Sequence, residues 1–185
     1  MDTMRVKDLM IPLDSYAVVS GGSTLEDAVE ILERAQQNLP AGRLPHRAVL
    51  VRDESGTIIG MIGQFALLKA LEPKYNVLGD LETVRRPGVD SEVLSAMREH
   101  LQLFENSLSE HCHFAGQLKV EEVMTHVSAA ISEDASLTEA IHRIVVWQTM
   151  SLLVTRGTDI VGVLRLSDLL DEACRNISKS TSEEN

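Results

Sequence analysis

Gly162-Val-Leu-Arg-Leu-Ser-Asp168 is the stretch that decides the fold, because it repeats the pattern of Gly60-Met-Ile-Gly-Gln-Phe-Ala66. Both stretches begin with a glycine and two apolar residues, but only the second ends in a carboxylate. Repeated blocks in a fixed order indicate one supersecondary unit used twice, with each copy covering a face that the other exposes. The other repeated blocks are Val6–Met10 and Val120–Met124, Thr24–Val29 and Ser136–Ile141, and Val49–Val51 and Leu152–Val154.

Each copy predicts the element order β-α-β-β-α. The start of the first helix is indicated by Ser23 or Thr24 ahead of Glu26-Asp27, and by Ser136 ahead of Glu139 in the second copy. Apolar residues then recur at helical spacing, and two short strands follow with a turn between them. The predicted strands are 17–19, 48–51 and 58–62 in the first copy and 129–131, 151–155 and 160–164 in the second, and the last helices are 67–71 and 169–174.

The segment 72–118 belongs to neither copy. Pro87-Gly88 breaks the chain, and Asp90 or Ser91 can cap a helix that follows. This helix is predicted to be amphipathic and to fit either of two roles, packing on its own domain or making a helix–helix contact between subunits. The apolar residues of its heptad spacing are Leu94, Met97, Leu101, Phe104 and Leu108.

The composition of the 185 residues narrows the classes of function. A net charge of −11 without a strong basic patch argues against nucleic-acid binding. No apolar run approaches the roughly 20 residues that span a bilayer, and no signal-peptide pattern begins the chain, so no membrane contact is expected. Two cysteines without a signal peptide favour a reduced, cytoplasmic setting. The polar tail 178–185 is predicted to be disordered.

The paired units, the Val-x-x-Val-Met-Thr lead and the closing Gly-hydrophobic-hydrophobic-x-x-x-Asp resemble the cystathionine-β-synthase (CBS) domain, and two in tandem resemble a Bateman module. The resemblance implies an α/β (α+β) fold, with β-α-β-β-α repeats at 1–71 and 119–177 related by a pseudo-twofold axis and a helical insertion between them. Such modules commonly bind AMP, ADP, ATP or S-adenosylmethionine in clefts between the repeats. They often form flat homodimers and regulate an attached or associated protein, with no obligatory cofactor.

The same resemblance implies a ligand site in the second repeat. Asp168 stands where a carboxylate accepts hydrogen bonds from the ribose hydroxyls, at a helix start whose dipole favours negative charge. Arg165 stands where the family has Ser or Thr facing phosphate, and it can bind phosphate bidentately or fill the cleft as an internal cation. The other implied contacts are Thr125 beside the ligand, the backbone of Ser128, Ala129 and Ala130 at the adenine edge, Leu164 at the end of the preceding strand, and His46 and Arg47 at the phosphates from the other repeat.

Each of these residues also has a purely structural interpretation. Asp168 can be a plain helix cap, and Arg165 can be a surface residue paired with Asp168 or Asp171. The remaining alternatives are Thr125 as a turn hydroxyl, and His46 and Arg47 as solvated loop residues.

The first copy lacks the equivalent of this site, because Gly63 and Ala66 replace the hydroxyl and the carboxylate. His111-Cys-His113 with His100 does not predict a metal site, since residues two apart on a helix face different ways. No nucleophile and base pair is visible, so no enzyme is predicted. Two hypotheses remain: a regulatory module that senses an adenine nucleotide through one cleft, and a non-binding dimerisation or scaffold module.

Overall fold

A computed structural model describes residues 4–37, 44–76, 91–103, 105–126 and 130–183. Two four-stranded sheets carry helices in a mixed α/β arrangement, as the two-repeat pattern predicts. The strands are β1 (Ile11–Pro12), β2 (Val18–Ser20), β3 (Ala48–Arg52), β4 (Ile58–Gly63), β5 (Thr125–His126), β6 (Ala130–Ser132), β7 (Ser151–Arg156) and β8 (Asp159–Arg165). The helices are α1 (Val6–Leu9), α2 (Leu25–Gln37), α3 (Gln64–Ala70), α4 (Ser91–His100), α5 (Leu108–Gly116), α6 (Val120–Val123), α7 (Leu137–Trp147) and α8 (Leu166–Glu183), with short 3-10 turns at Leu13–Ser15 and Pro73–Asn76.

The two repeats exchange their leading strands. The first sheet has the order β2-β3-β4-β5, so its last strand comes from the second repeat, and the second sheet has the order β1-β8-β7-β6. β2 pairs with β3, and β6 with β7, in parallel, whereas the hairpins β3–β4 and β7–β8 are antiparallel. The exchanged strands pair antiparallel with the outer hairpin strand, Ile11 opposite Val163 and Thr125 opposite Met61.

The helices that lead into these strands are exchanged as well. The Val6 N–H donates to the Ala135 carbonyl at 3.0 Å, and the Val120 N–H donates to the Ser23 carbonyl at 3.0 Å. Val6 and Val120 are fully buried in the core of the opposite repeat. Full burial of a valine stabilises a fold by about 1.5–3 kcal/mol, so each repeat contributes to the stability of the other.

A third apolar cluster lies between the two sheets. It contains Tyr16 and Leu50 from the first repeat and Leu153 and Val163 from the second, together with Ile11 and Ile58. The outer faces of the sheets are covered by the helices, where α2 supplies Leu25 and Ala28 and α7 supplies Leu137, Ala140 and Ile144. Successive strand residues therefore alternate between an inter-sheet face and a helix face.

The predicted helix starts are confirmed. The Asp27 N–H donates to the Thr24 hydroxyl, and the Asp27 carboxylate accepts from the Thr24 N–H at 2.8 Å. In the second repeat the Glu139 N–H donates to the Ser136 hydroxyl at 3.1 Å. Both helices thus begin at the hydroxyl residue that the sequence indicated.

The single amphipathic helix predicted through Leu108 is wrong. α4 ends at His100, Gln102 adopts a left-handed backbone with φ of 51°, and α5 begins only at Leu108. Ser107 caps α5 with a reciprocal Ser107–Glu110 capping box, which fixes a new helix start inside the heptad pattern. Phe104 and the predicted break at Pro87-Gly88 lie outside the described residues.

The last helix is longer than the sequence predicted. α8 begins at Leu166, three residues earlier than expected, and continues to Glu183. The predicted disordered tail from Ser178 is therefore helical as far as Glu183. Contacts one turn apart support the extension, since the Ser178 hydroxyl donates to the Cys174 carbonyl at 3.0 Å. Among the described residues, no helix combines the length and the apolar character required to cross a membrane.

Candidate functional site

Arg165 and Asp168 form a buried, two-pronged ion pair at the start of α8. Arg165 ends β8 and is 5% exposed, and Asp168 lies in the first turn of α8 and is 7% exposed. The Arg165 Nε donates to Asp168 Oδ2 at 2.6 Å, and Nη2 donates to Oδ1 at 2.7 Å. Both carboxylate oxygens are therefore already engaged by a guanidinium from the same repeat.

The same guanidinium joins the two repeats. Its Nη1 donates to the backbone carbonyls of Leu44 and Pro45, at 2.9 and 3.1 Å. These two residues lead directly into β3 of the first repeat. Arg165 thus holds Asp168 on one side and the first repeat on the other, and this agrees with the internal-cation interpretation of that residue.

His46 and Tyr16 pack beside the ion pair. The two rings are arranged edge to face with centroids 4.6 Å apart, and His46 is 1% exposed. Burial lowers the pKa of His46, and the Arg165 charge lowers it further, against smaller effects of the Ser15 backbone and Asp168. Within the described residues neither ring nitrogen meets hydrogen-bond geometry, and the Ser15 backbone opposes the lowering of the pKa only weakly, so the surroundings favour the neutral ring.

Burial also raises the pKa of Tyr16 to about 12, with Arg165 opposing the rise and Asp168 adding to it. Tyr16 was not predicted as part of the site, nor were the Leu44 and Pro45 carbonyls. The available signal for Tyr16 is its place directly before the apolar strand 17–19 in a chain with only two tyrosines.

Arg47 lies away from this cluster, although it follows His46 in sequence. Alternation along the strand puts Val49 and Val51 in the core under α2, and Leu50 in the inter-sheet core. Arg47 shares the helix side with Val49 and is exposed, whereas His46 faces the inter-sheet side. Only His46 therefore packs into the ion-pair cluster, although both residues line the groove between α2 and α3.

The structure also describes three more of the predicted residues. Leu164 is fully buried in the second-repeat core, so its side chain cannot line a cleft. Thr125 is exposed in β5, on the first sheet opposite Met61. The Ala130 carbonyl accepts a hydrogen bond from Arg143 Nη1. Ser128 and Ala129 lie outside the described residues.

The structure thus brings together His46, Arg165 and Asp168 from the predicted set. The helix-cap interpretation of Asp168 is wrong, because the residue lies inside the first turn and not ahead of it. The surface interpretation of Arg165 is also wrong, but its predicted pairing with Asp168 is confirmed.

Comparison with models of known protein families identifies the family of this chain. A family model described as the CBS domain matches residues 6–73 and 120–174, which make up more than half of the chain. The chain belongs to the CBS-domain family. Its two matched segments coincide with the two repeats that exchange their leading strands, so the chain is a CBS pair.

Solved CBS proteins share this fold. The crystal structure of CBSX2 in complex with AMP has a TM-score of 0.58 and 19% identity, and the match covers 92% of this chain and 97% of that chain. The CBS domain of a membrane protein from Sphaerobacter thermophilus has a TM-score of 0.59 and 17% identity, covering 92% and 88%. A CBS protein of unknown function from Bacillus anthracis gives 0.58 and 17%, covering 94% and 95%. Such low identities show the fold alone, and no curated protein sequence matches the chain.

Breaking the Arg165–Asp168 pair in this CBS pair should strongly destabilise it. We expect Arg165→Met to lower the free energy of unfolding by about 3–5 kcal/mol, because Asp168 is left charged and buried without a partner. Adding Asp168→Leu should restore much of the loss, since both charges are then removed. Urea denaturation of the single and double variants measures both effects.

The matched control is Arg156→Met. Arg156 pairs with Glu133 through two hydrogen bonds as well, but its side chain is largely exposed. Its loss should change stability by about 1 kcal/mol or less. Equal losses for Arg165→Met and Arg156→Met would show that burial gives the Arg165 pair no special importance.

His46 should make the stability of the CBS pair depend on pH. Its pKa is lowered in the folded state, so around the unfolded pKa of about 6.5 the unfolded chain binds more protons than the folded chain. The free energy of unfolding should therefore fall as the pH drops from about 7 to about 5.5. Urea titrations of His46→Phe, which keeps a ring but cannot titrate, should show a flatter profile. Identical slopes for the two proteins would contradict the assignment.

Proposed function

We propose that the chain is a regulatory CBS pair that acts by associating with proteins, first of all with a second copy of itself, while its second-repeat cleft is closed by Arg165. The observation that carries the proposal is the buried Arg165–Asp168 pair. Arg165 and Asp168, two of the residues that the family resemblance assigns to a nucleotide, bind each other instead. A ribose would have to displace a charge-assisted pair whose oxygens are both occupied.

The closure also holds the repeats together. If Arg165 leaves this position, the Leu44 and Pro45 carbonyls and the Asp168 carboxylate all lose their hydrogen-bond donor. A buried polar group left without a partner costs about 1–3 kcal/mol, and a buried charge costs more. A ligand must replace all of these contacts before it gains any affinity.

Association is supported by apolar side chains on the outer faces of α7 and α8. Ile141 and Val145 are four residues apart on α7, and Leu170 and Ile177 are seven apart on α8, so each pair lies on one helix face. All four are exposed, and the two helices pack beside one another. Exposed apolar side chains on two neighbouring helices fit a self-complementary contact between two copies.

The proposal includes a cytoplasmic setting and no catalytic role. Cys112 and Cys174 are free and exposed, which fits a reducing compartment. The regulated partner is a protein that recognises the paired module.

A second candidate function is binding of an adenosine-containing ligand, such as AMP, ADP, ATP or S-adenosylmethionine, in the second-repeat cleft. The specific support is that CBSX2, which shares the fold, was solved in complex with AMP. The phosphate of a phosphorylated ligand would bind Arg165, and its ribose hydroxyls would donate to Asp168. The ligand would thereby replace the ion pair between these two residues.

Ligand-induced stabilisation separates the two candidates. We expect AMP, ADP, ATP and S-adenosylmethionine to leave the melting temperature of the wild type unchanged. A ligand that did bind the folded chain would add about 2.7 kcal/mol to its free energy of unfolding when present at ~100 times its dissociation constant. Arg165→Thr places the family's hydroxyl at this position and frees Asp168. It should lower the melting temperature without ligand and gain a ligand-dependent rise. Stabilisation of the wild type that Asp168→Ala abolishes would establish the ligand candidate instead.

Disruption of the apolar surface should dissociate the dimer. We expect Val145→Glu to convert a dimer into a monomer in light scattering, because the new charge would be buried at the contact. The control is Leu108→Glu on α5, since Leu108 is 64% exposed and Val145 67%. A wild-type protein that stays monomeric at micromolar concentration, or a Val145→Glu variant that stays dimeric, would contradict the proposed surface.

A further inference from the structure

A cavity lies where the end of α3 and the 3-10 turn after it meet α5 of the inter-repeat segment. Its volume is about 320 Å³, at the lower end of the roughly 300–1,000 Å³ that small-molecule sites occupy. The apolar part of its wall consists of Ala70, Leu71, Ala115 and Leu118. A cavity of this size and lining fits a small ligand with an apolar body.

This cavity is separate from the Arg165 cluster. Apart from Ala70 and Leu71, its described lining residues belong to the segment 72–118, and none of them was predicted to contact a nucleotide. The Leu118 carbonyl accepts a hydrogen bond from the N–H of Leu25, the first residue of α2, at 2.9 Å. A ligand in the cavity therefore contacts both the first repeat and the inter-repeat segment, and its binding does not depend on the closed cleft of the proposed function.

The lining contains a carboxylate that is withdrawn from water. Glu72 is 2% exposed, and its Oε1 accepts a hydrogen bond from the Lys74 backbone N–H at 3.2 Å. A carboxylate has about four acceptor positions, so this bond does not exclude a further donor. A hydrogen bond from a cationic donor to such a buried carboxylate is stronger than the same bond in water.

The lysine on the lining is already engaged. Lys74 Nζ donates to the Gln102 carbonyl and lies 3.7 Å from Glu105 Oε2. On the described part of the lining Lys74 is the only lysine or arginine, whereas Glu72 and Glu105 supply two carboxylates. His111 adds an imidazole ring to the wall. The excess of carboxylates over ammonium groups favours a cationic ligand, and the net charge of −11 of the whole chain attracts cations to its surface.

An aromatic ring lies on the solvent side of the cavity. Phe114 is 64% exposed, although it also lines the wall. Its ring contacts the His113 ring edge to face, with centroids 5.9 Å apart. The lining thus combines a buried carboxylate, apolar walls and an accessible aromatic ring.

We propose that this cavity binds a small organic ammonium ion, which is a protonated primary amine on an apolar body. The ammonium group donates to the Glu72 carboxylate, and the apolar body packs against the walls and the Phe114 ring. Because these groups come from the junction of the first repeat and the inter-repeat segment, the bound ion stabilises that junction.

The experiment is a calorimetric titration with phenethylammonium as the probe. We expect one probe per chain, weaker binding of 2-phenylethanol, which has the same body without the charge, and no binding of phenylacetate, which carries the opposite charge. Glu72→Gln should weaken the probe about tenfold, as expected for the loss of a charged hydrogen bond. The matched control is Glu99→Gln on α4, because Glu99 is exposed and lies outside the lining, and it should bind like the wild type.

Two further variants keep the test valid if Glu72→Gln folds poorly. Phe114→Leu changes an exposed side chain and should weaken the probe by about two- to tenfold, since the contact between aromatic rings is lost. Lys74→Met removes the competing cation and should tighten binding by about two- to fivefold, a gain that misfolding cannot produce.

Four results would overturn the proposal. They are the absence of probe binding to the wild type, equal affinity in the wild type and a folded Glu72→Gln, unchanged or weaker binding by Lys74→Met, and a preference for phenylacetate. The last result would show that Lys74 makes the cavity a site for anions.

Discussion

The exchange of leading segments is the constraint on which the rest of this CBS pair depends. Val6 is buried among the residues of the second repeat and Val120 among those of the first. Each backbone N–H also bonds to a carbonyl of the opposite repeat. Neither sheet has four strands without the other repeat, so the two halves cannot turn independently. This fixed placement creates the inter-sheet core and, at its edge, the confined space in which Arg165, Asp168, His46 and Tyr16 meet.

Local sequence patterns could predict the elements, but not their exchange. The hydroxyl residues Thr24 and Ser136 mark helix starts because capping is a contact within one turn. Short apolar runs on either side of a turn likewise predict β3 and β4 from neighbouring residues alone. The pairing of Ile11 with Val163 joins opposite ends of the chain, and nothing in a two-residue strand indicates which sheet it joins. The break at Gln102 was missed for a related reason, since heptad spacing does not register one left-handed residue.

The sequence could predict three members of the candidate site and the pairing of Arg165 with Asp168, but not the bonds from Arg165 to the first repeat. Arg165 and Asp168 stand three residues apart across a helix start, and that spacing brings side chains onto one face. A site for ribose and phosphate needs a cation and a carboxylate, but the same two groups neutralise each other when no ligand separates them. His46 and Arg47 were assigned together because they are adjacent, but only the His46 ring packs beside the ion pair, whereas the Arg47 side chain is exposed. Tyr16 gave only a weak compositional signal, because its role depends on the exchanged strand before it.

The short segment from Leu44 to Arg47 connects the inter-sheet cluster to the groove between α2 and α3. The carbonyls of its first two residues accept hydrogen bonds from Arg165, its third residue packs on Tyr16, and its last three residues line the groove between α2 and α3. A guanidinium that left Asp168 for a phosphate would also leave these carbonyls without their donor, directly ahead of β3. The inter-sheet cluster and the groove between α2 and α3 therefore share this segment of four residues. A change at either place acts on the segment, so coupling between the two places does not need a longer path through the fold.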